Sequence, residues 1–191
     1  MRERTLTVNG FSKTFSMTGW RLGYVMGPRA IINQAKKIHQ FVIMSAPTIS
    51  QYAGIEALRN GDADIERMKK EYDRRRRFLL REFDRLGLPC FEPRGAFYLF
   101  PYVGRYGMTS EEFAEDLLVK EHVVVVPGTA FGESGEGFVR ISYAYSLDAL
   151  KEAVMRIERY LTSLSPAAKS REDRTPAARP KTAARTQNKD T

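Results

Sequence analysis

The sequence predicts an α/β fold in two unequal parts, and three observations predict it. A β-branched run and a glycine-bounded turn open the chain and lead into two helices of apolar spacing. A long charged helix follows from about residue 62. Beyond it, short apolar strands alternate with helices as far as residue 164. That order suggests an α/β core fragment followed by a smaller α+β lobe. The expected division is 1–60, 61–164 and a tail over 165–191.

The elements follow from their residues. Thr5 to Val8 is rich in β-branched residues and reads as a strand, and Trp20 to Gly27 reads as a second. Pro28 is well placed to open a helix, in which Ile31, Ile32, Ala35, Ile38, Phe41 and Val42 recur at helical spacing. Pro47 or Thr48 starts the next helix, which stops at Asn60-Gly61. Asp62 or Asp64 is expected to cap the long helix, whose stripe is Ile65, Met68, Tyr72, Leu79, Phe83 and Leu86. Its four arginines, Arg74 to Arg77, wrap the whole circumference and read as a solvated surface with buried stems. Gly87 ends it. Leu88 to Phe91 reads as a short strand, then Pro93 to Pro101 as one entered through Gly95. Thr109 or Ser110 caps an acid-first helix over 110–121. Val123 to Val126 reads as a buried strand, Pro127 to Gly137 as a glycine-rich loop, and Phe138 to Tyr145 as a strand with Val139, Ile141 and Tyr143 on one face and Arg140 and Ser142 on the other. A closing helix carries Leu150, Val154, Ile157 and Leu161.

Composition narrows the function classes. An apolar share of 42% is enough for a core, and the single cysteine, Cys90, excludes a disulfide framework and points to a reducing, cytoplasmic setting. No apolar run nears the ~20 residues that span a bilayer, so a soluble protein without membrane attachment is expected. The net charge is +8, but residues 166–191 hold seven Lys/Arg against three Asp/Glu, a surplus of +4. Half the excess therefore sits in a stretch without a single large apolar residue, expected to be disordered. The arginine run has no aromatic interleaving, so no specific nucleic-acid partner is expected. His39, His122 and Cys90 lack metal-ligand spacing.

The chemistry concentrates in Asn9 to Gly23, N-G-F-S-K-T-F-S-M-T-G-W-R-L-G. A lone Lys13 on a tight turn between strands is expected to be held away from bulk water, which favours the neutral, nucleophilic amine. Arg21, between Gly19 and Gly23, adds a rigid cationic fork suited to a phosphate. Arg140 in F-V-R-I-S-Y sits mid-strand and can aim a second fork into a cleft. The loop at Pro127 is no nucleotide-triphosphate loop, because no Gly-Lys-Ser/Thr follows.

The stretch G-F-S-K-x-x-S-M-x-G-x-R-L-G resembles the cofactor-lysine signature of class I/II aminotransferases, pyridoxal-phosphate (PLP) enzymes of the aspartate-aminotransferase fold. The resemblance covers residues 1 to about 164. It implies the C-terminal part of a PLP-dependent transferase fold: the end of the large-domain sheet plus the small α+β C-terminal domain. Lys13 would form the Schiff base with PLP and act as catalytic base. Arg21 would hold the cofactor phosphate, and Arg140, in a matching R-x-S-Y context, the substrate α-carboxylate. The stretch V-V-P-G-x-x-F-G is similar to the family's active-site entrance, and P-R-G-A-F-Y to the substrate side, with Phe97 and Tyr98 as wall or core residues. Where many members carry Ser or Thr three residues before the lysine, this chain has Gly10, which has no hydroxyl for that phosphate contact.

In the family the lysine lies past the midpoint. The Asp that pairs with the pyridine nitrogen, the aromatic that stacks on the ring and a Gly-rich phosphate turn precede it, and none has a counterpart here. The reading is therefore an aminotransferase that exchanges amino groups between an amino acid and a 2-oxo acid, represented by its C-terminal half and expected to be a homodimer when complete. A PLP-dependent lyase or synthase, and a non-catalytic aminotransferase-like regulator domain or remnant, are the alternatives.

Overall fold

A computed structural model describes residues 1–164; the basic tail expected over 165–191 lies outside the described residues. Strands β1 (Thr7–Gly10) and β2 (Gly23–Met26) pair antiparallel, with Thr7 opposite Met26 and Gly10 opposite Gly23. The residues between them form the one-turn helix α1 (Phe11–Thr14) and a 3-10 turn at Thr18–Trp20. Helices α2 (Arg29–Val42), α3 (Thr48–Asn60) and α4 (Asp62–Arg85) follow. Pro28 and Pro47 stand just before α2 and α3 with extended ψ, and their fixed φ sets the entry of each helix.

Only Gly61 separates α3 from α4, and its backbone is already helical (φ −83°, ψ −4°). Neither Asp62 nor Asp64 caps α4, contrary to expectation, because no extended residue precedes them from which a side chain could reach back. Both acids instead occupy the first turn, where negative charge suits the helix dipole. The arginine run pairs with acids on its own helix, Arg74 and Arg75 with Glu71 and Arg76 and Arg77 with Asp73; Arg74 and Arg77 are solvated as expected, whereas Arg75 and Arg76 are largely covered.

The second part holds a three-stranded antiparallel sheet in the order β3 (Tyr98–Leu99), β5 (Val139–Ser142), β4 (Val126–Pro127), with helices α5 (Ser110–Glu121) and α6 (Leu147–Ser163). Its strands are shorter than the sequence suggests. Leu88 to Phe91 contributes one bridge, Cys90 to Pro101, since flanking Pro89 and Pro93 cannot donate to a ladder. Of Val123 to Val126 only Val126 is paired, and Val124 is exposed while Val125 is buried. The segment expected to enter through Gly95 bends instead at Ala96, whose φ is +58°.

One apolar cluster unites this part: Leu79 and Phe83 of α4, Phe113 and Leu117 of α5, Val139 and Tyr143 from β5, and Leu150, Val154, Ile157 and Tyr160 of α6. The Tyr160 hydroxyl, wholly buried, donates to Asp116 at 2.8 Å, so the ring enters the core without an unmet polar group. Helix α5 opens with a capping box, in which Glu112 N–H donates to the Thr109 hydroxyl and Thr109 N–H to the Glu112 carboxylate. Residues 1–60 contribute far less buried surface, chiefly Phe11 and Met17. The predicted stripe of α2 is present, yet no residue of that helix is buried and Phe41 is 94% exposed.

The buried Glu121 ties α5 to α6. Its carboxylate accepts from the Arg159 guanidinium, and its carbonyl accepts from Arg156. Hydrogen bonding to Arg159 holds the carboxyl below its usual range. A lowered native value means a contribution that is complete above ordinary glutamate titration and lost as acid carries the pH through the native value. Glu121→Gln should therefore lower the melting temperature at pH 7, and the gap from wild type should shrink toward about pH 3. Thermal melts of both proteins across that range check it, and a gap that stays constant sinks the tie.

Candidate active site

Lys13 is placed by Phe11. That ring is buried, 5.4 Å from Phe15 and 5.6 Å from Tyr24, and it lies against the bare backbone of Gly54 in α3. Phe11 N–H donates to the Leu22 carbonyl, and its own carbonyl accepts from Phe15 and Met17 N–H. Two residues on in a one-turn helix, Lys13 points away from this anchor. Its Nζ stands 5.3 Å from the centre of the Phe97 ring, at the edge of a cleft of about 600 Å³. Lys13 is exposed, so this chain's own residues do not take it out of water as the sequence led us to expect. Among the described residues no carboxylate lies within ion-pairing distance of it.

The opposite wall is built from α4 and the bend before β3. Tyr72 stacks on Phe97 at 5.7 Å and meets Tyr143 edge-on at 6.2 Å. Phe97 is fixed from behind, since Tyr143 N–H donates to its carbonyl and the Tyr143 hydroxyl donates to the carbonyl of Ala96 at 3.1 Å. Burial pushes the Tyr143 phenol up, which keeps it protonated as that donor. Arg76 bridges Asp73 on α4 and Glu92 on the bend at 2.7 and 2.6 Å, and its hydrogen bonds hold both carboxyls below their usual range. The left-handed backbone of Ala96, uncommon for a residue with a Cβ, is thus tethered on both sides.

Arg140 reaches this strand from its other face. Tyr98 pairs with Ser142 in the β3–β5 ladder, so alternation puts Tyr98, Arg140 and Ser142 together, away from Val139 and Tyr143. The guanidinium carbon of Arg140 lies 4.4 Å from the centre of the Tyr98 ring and 4.6 Å from that of Phe131. Phe97 and Tyr98 are themselves in contact, with centroids 4.6 Å apart. Lys13 and Arg140 therefore approach the same two adjacent rings, one on each. Arg21 is separate. It is exposed, adopts a left-handed backbone (φ 51°, ψ 47°), and donates to the Thr18 carbonyl at 3.2 Å. Neither Arg21 nor Arg140 lines the Lys13 cleft, so the three side chains do not share one cavity among the described residues.

The glycine-rich loop closes the Arg140 side. Gly128 and Gly135 meet backbone to backbone, and a Cβ on Gly128 would stand 1.9 Å from the Gly135 carbonyl oxygen. Gly137 N–H donates to the Ser110 hydroxyl, and Ser110 N–H to Glu136, which ties the loop to the start of α5. Nothing in the sequence marks Tyr72, Tyr143 or Arg76 as walls of this cleft. Their positions read as core stripe, core face and solvated arginine run, and only tertiary packing turns them toward Lys13.

An exposed amine thus stands at the mouth of an aromatic cleft on an α/β scaffold, and one ring away lies a guanidinium with no acceptor among the described residues. The chain belongs to the family of class I and II aminotransferases, whose pattern it matches over residues 1–157. It is 50% identical over 163 residues to an aspartate aminotransferase of Pyrococcus abyssi, covering 84% of this chain and 42% of that protein. It is 45% identical over 163 residues to aromatic-amino-acid aminotransferase 2 of Thermococcus litoralis, with the same coverage. The crystal structure of an aromatic aminotransferase from Pyrococcus horikoshii superposes with a TM-score of 0.80 at 49% identity, over 85% of this chain and 44% of that one. The chain thus has the fold of part of those enzymes, and spans about 42% of the length of the curated relatives it matches.

Tyr143→Phe removes the donor to Ala96 and leaves that carbonyl without its partner, at a cost of about 1–2 kcal/mol. Urea unfolding should show the loss, and amide exchange should quicken across residues 92–97. Unchanged exchange there would show that the phenol does not hold the bend.

Proposed function

We propose that this chain supplies the lysine-bearing part of a pyridoxal-phosphate-dependent aminotransferase that exchanges amino groups between an amino acid and a 2-oxo acid. One observation carries the reading: in a chain of this family, Phe97 and Tyr98 bring to adjacent rings an amine and a guanidinium that have no ion-pair partner among the described residues. The residues fit the cofactor in kind. Lys13 opens onto a cleft whose two carboxylates, Asp73 and Glu92, are both engaged by Arg76, and Arg21 has guanidinium donors to spare for a phosphate. When bound, PLP supplies an electron sink for the carbanion formed at the substrate α-carbon.

The chain's own groups do the rest. Lys13 Nζ takes the proton from the substrate α-carbon as general base, which its long flexible stem allows without moving the backbone. Arg140 grips the α-carboxylate and fixes which bond faces the amine. Phe97, Tyr72 and Tyr143 provide an apolar wall that excludes water from one side of the reacting carbon. We place the boundary between a large-domain portion and a small domain near residue 60. The exposed stripe of α2 is the kind of surface that a further part of the fold or a second subunit covers, which supports a homodimer for the complete enzyme. A cytoplasmic, soluble location fits the unpaired Cys90, and among the described residues no helix is long and apolar enough to cross a membrane.

Added PLP should give an imine absorption band that saturates with Lys13 present and is lost in Lys13→Ala. Arg21→Ala should weaken PLP binding roughly tenfold or more, the loss of a charge-assisted hydrogen bond. Glutamate should then convert the band only if transamination, not elimination, is the chemistry. The chain alone should bind PLP weakly and turn over little, because the two carboxylates lining the cleft, Asp73 and Glu92, are held by Arg76 and neither is free to pair with the pyridine nitrogen. An undiminished band in Lys13→Ala, or ordinary turnover by the chain alone, would overturn this reading.

A further inference from the structure

Arg140 is half-buried, yet among the described residues its guanidinium has neither a hydrogen-bond acceptor nor an ion-pair partner. Its fixed company is aromatic: the Tyr98 ring at 4.4 Å and the Phe131 ring at 4.6 Å. An arginine stacked on rings keeps its edge N–H groups free while its plane is held, which is the state that suits bidentate capture of a carboxylate.

Each ring is braced from a different element. Tyr98 is held in β3 by the ladder to Ser142. Phe131 ends the 3-10 turn Gly128–Phe131, and Phe100 meets it edge-on at 6.1 Å while stacking on Phe138 at 5.3 Å. The turn reverses at Gly132, whose φ of +116° only glycine adopts readily, and the Gly128–Gly135 contact pins its base. The glycine-rich loop thereby has a defined output, the placement of one ring on one guanidinium.

We propose that Tyr98 and Phe131 are positioning residues that clamp Arg140 in the orientation for carboxylate binding, and that the Gly128–Gly137 loop sets carboxylate affinity through Phe131. This rests on the reading of Arg140 as the carboxylate site, so the test reads the clamp and the binding separately.

The full chain is labelled with 15N-arginine, and the Arg140 Nε–Hε signal is assigned by its loss in Arg140→Lys. Ring-current displacement of that signal should diminish in Phe131→Leu and in Tyr98→Leu, and persist in Tyr98→Phe, which keeps the ring. Phe131 is 51% exposed, so its replacement removes little core, and unchanged amide dispersion confirms the fold. Succinate should move the wild-type signal saturably, and Phe131→Leu should weaken that binding about fivefold, the equivalent of one cation–π contact. If the signal is the same in wild type and both leucine variants, the clamp is refuted even where succinate binds. If the ring effects appear but succinate leaves the signal unmoved, the carboxylate role of Arg140 falls and this proposal with it. Equal succinate affinity in wild type and Phe131→Leu also overturns it.

Discussion

The pairing of β5 with β3 is the constraint on which the site depends. Register sets Tyr98 against Ser142 and Leu99 against Ile141. A shift of one residue would exchange the faces. Arg140 would then face the core, where a guanidinium without a partner is costly, and Val139 would face solvent. The register is enforced by what the core face carries, since Val139 and Tyr143 sit in the same buried cluster as Leu99. Arg140 stands out on the far face because Val139 beside it and Tyr143 three residues on are both buried.

The same economy governs α4. Its buried positions, Leu79 and Phe83, belong to its second half, where the sheet and α6 cover it. Its first half is walled by the lysine turn, with Ser16 donating to the Met68 sulfur and the Phe15 ring against Gly61. One helix therefore spans from the core of the second part to the cleft of the first. Arg85 reinforces its far end with hydrogen bonds to both Glu158 oxygens on α6, at 2.6 and 2.8 Å. Arg76, from a run that looks uniformly solvated, is half-buried because the bend at Glu92 folds over it.

Much of this was legible in residues, and the failures share a cause. Helices came through because their signals are local: proline entries, the Thr109–Glu112 box, apolar spacing along α6. Strand lengths did not, since pairing depends on a partner that the strand's own sequence does not contain. Val123 to Val126 is β-rich in composition and pairs only at its last residue. Capping by Asp62 failed because the residue before it was helical, a fact about Gly61. Lys13, Arg21 and Arg140 stand out in the sequence by residue type and spacing, and the structure relates two of them through the ring pair Phe97–Tyr98. The desolvation of Lys13 was not supplied, because exposure is a property of what surrounds the turn.

That last point separates the two parts of the chain. Where α5, α6 and the sheet meet, every large side chain of the cluster has neighbours on all sides, and even Tyr160 and Glu121 find polar partners. In residues 1–60 the apolar positions are as regular, yet Val8, Val25, Ile38, Phe41, Val42 and Tyr52 stand in solvent. Amphipathic spacing is a statement about a face that is meant to be covered, and a soluble surface does not ordinarily leave so large an apolar stripe open. Lys13 is exposed as well. The amine needs low polarity around it to be nucleophilic at neutral pH, and the apolar stripe needs a partner surface. Among the described residues neither requirement is met by residues 1–60 themselves: the lysine turn leaves Lys13 exposed and no residue of α2 is buried, so local sequence sets the positions of these groups and not their surroundings.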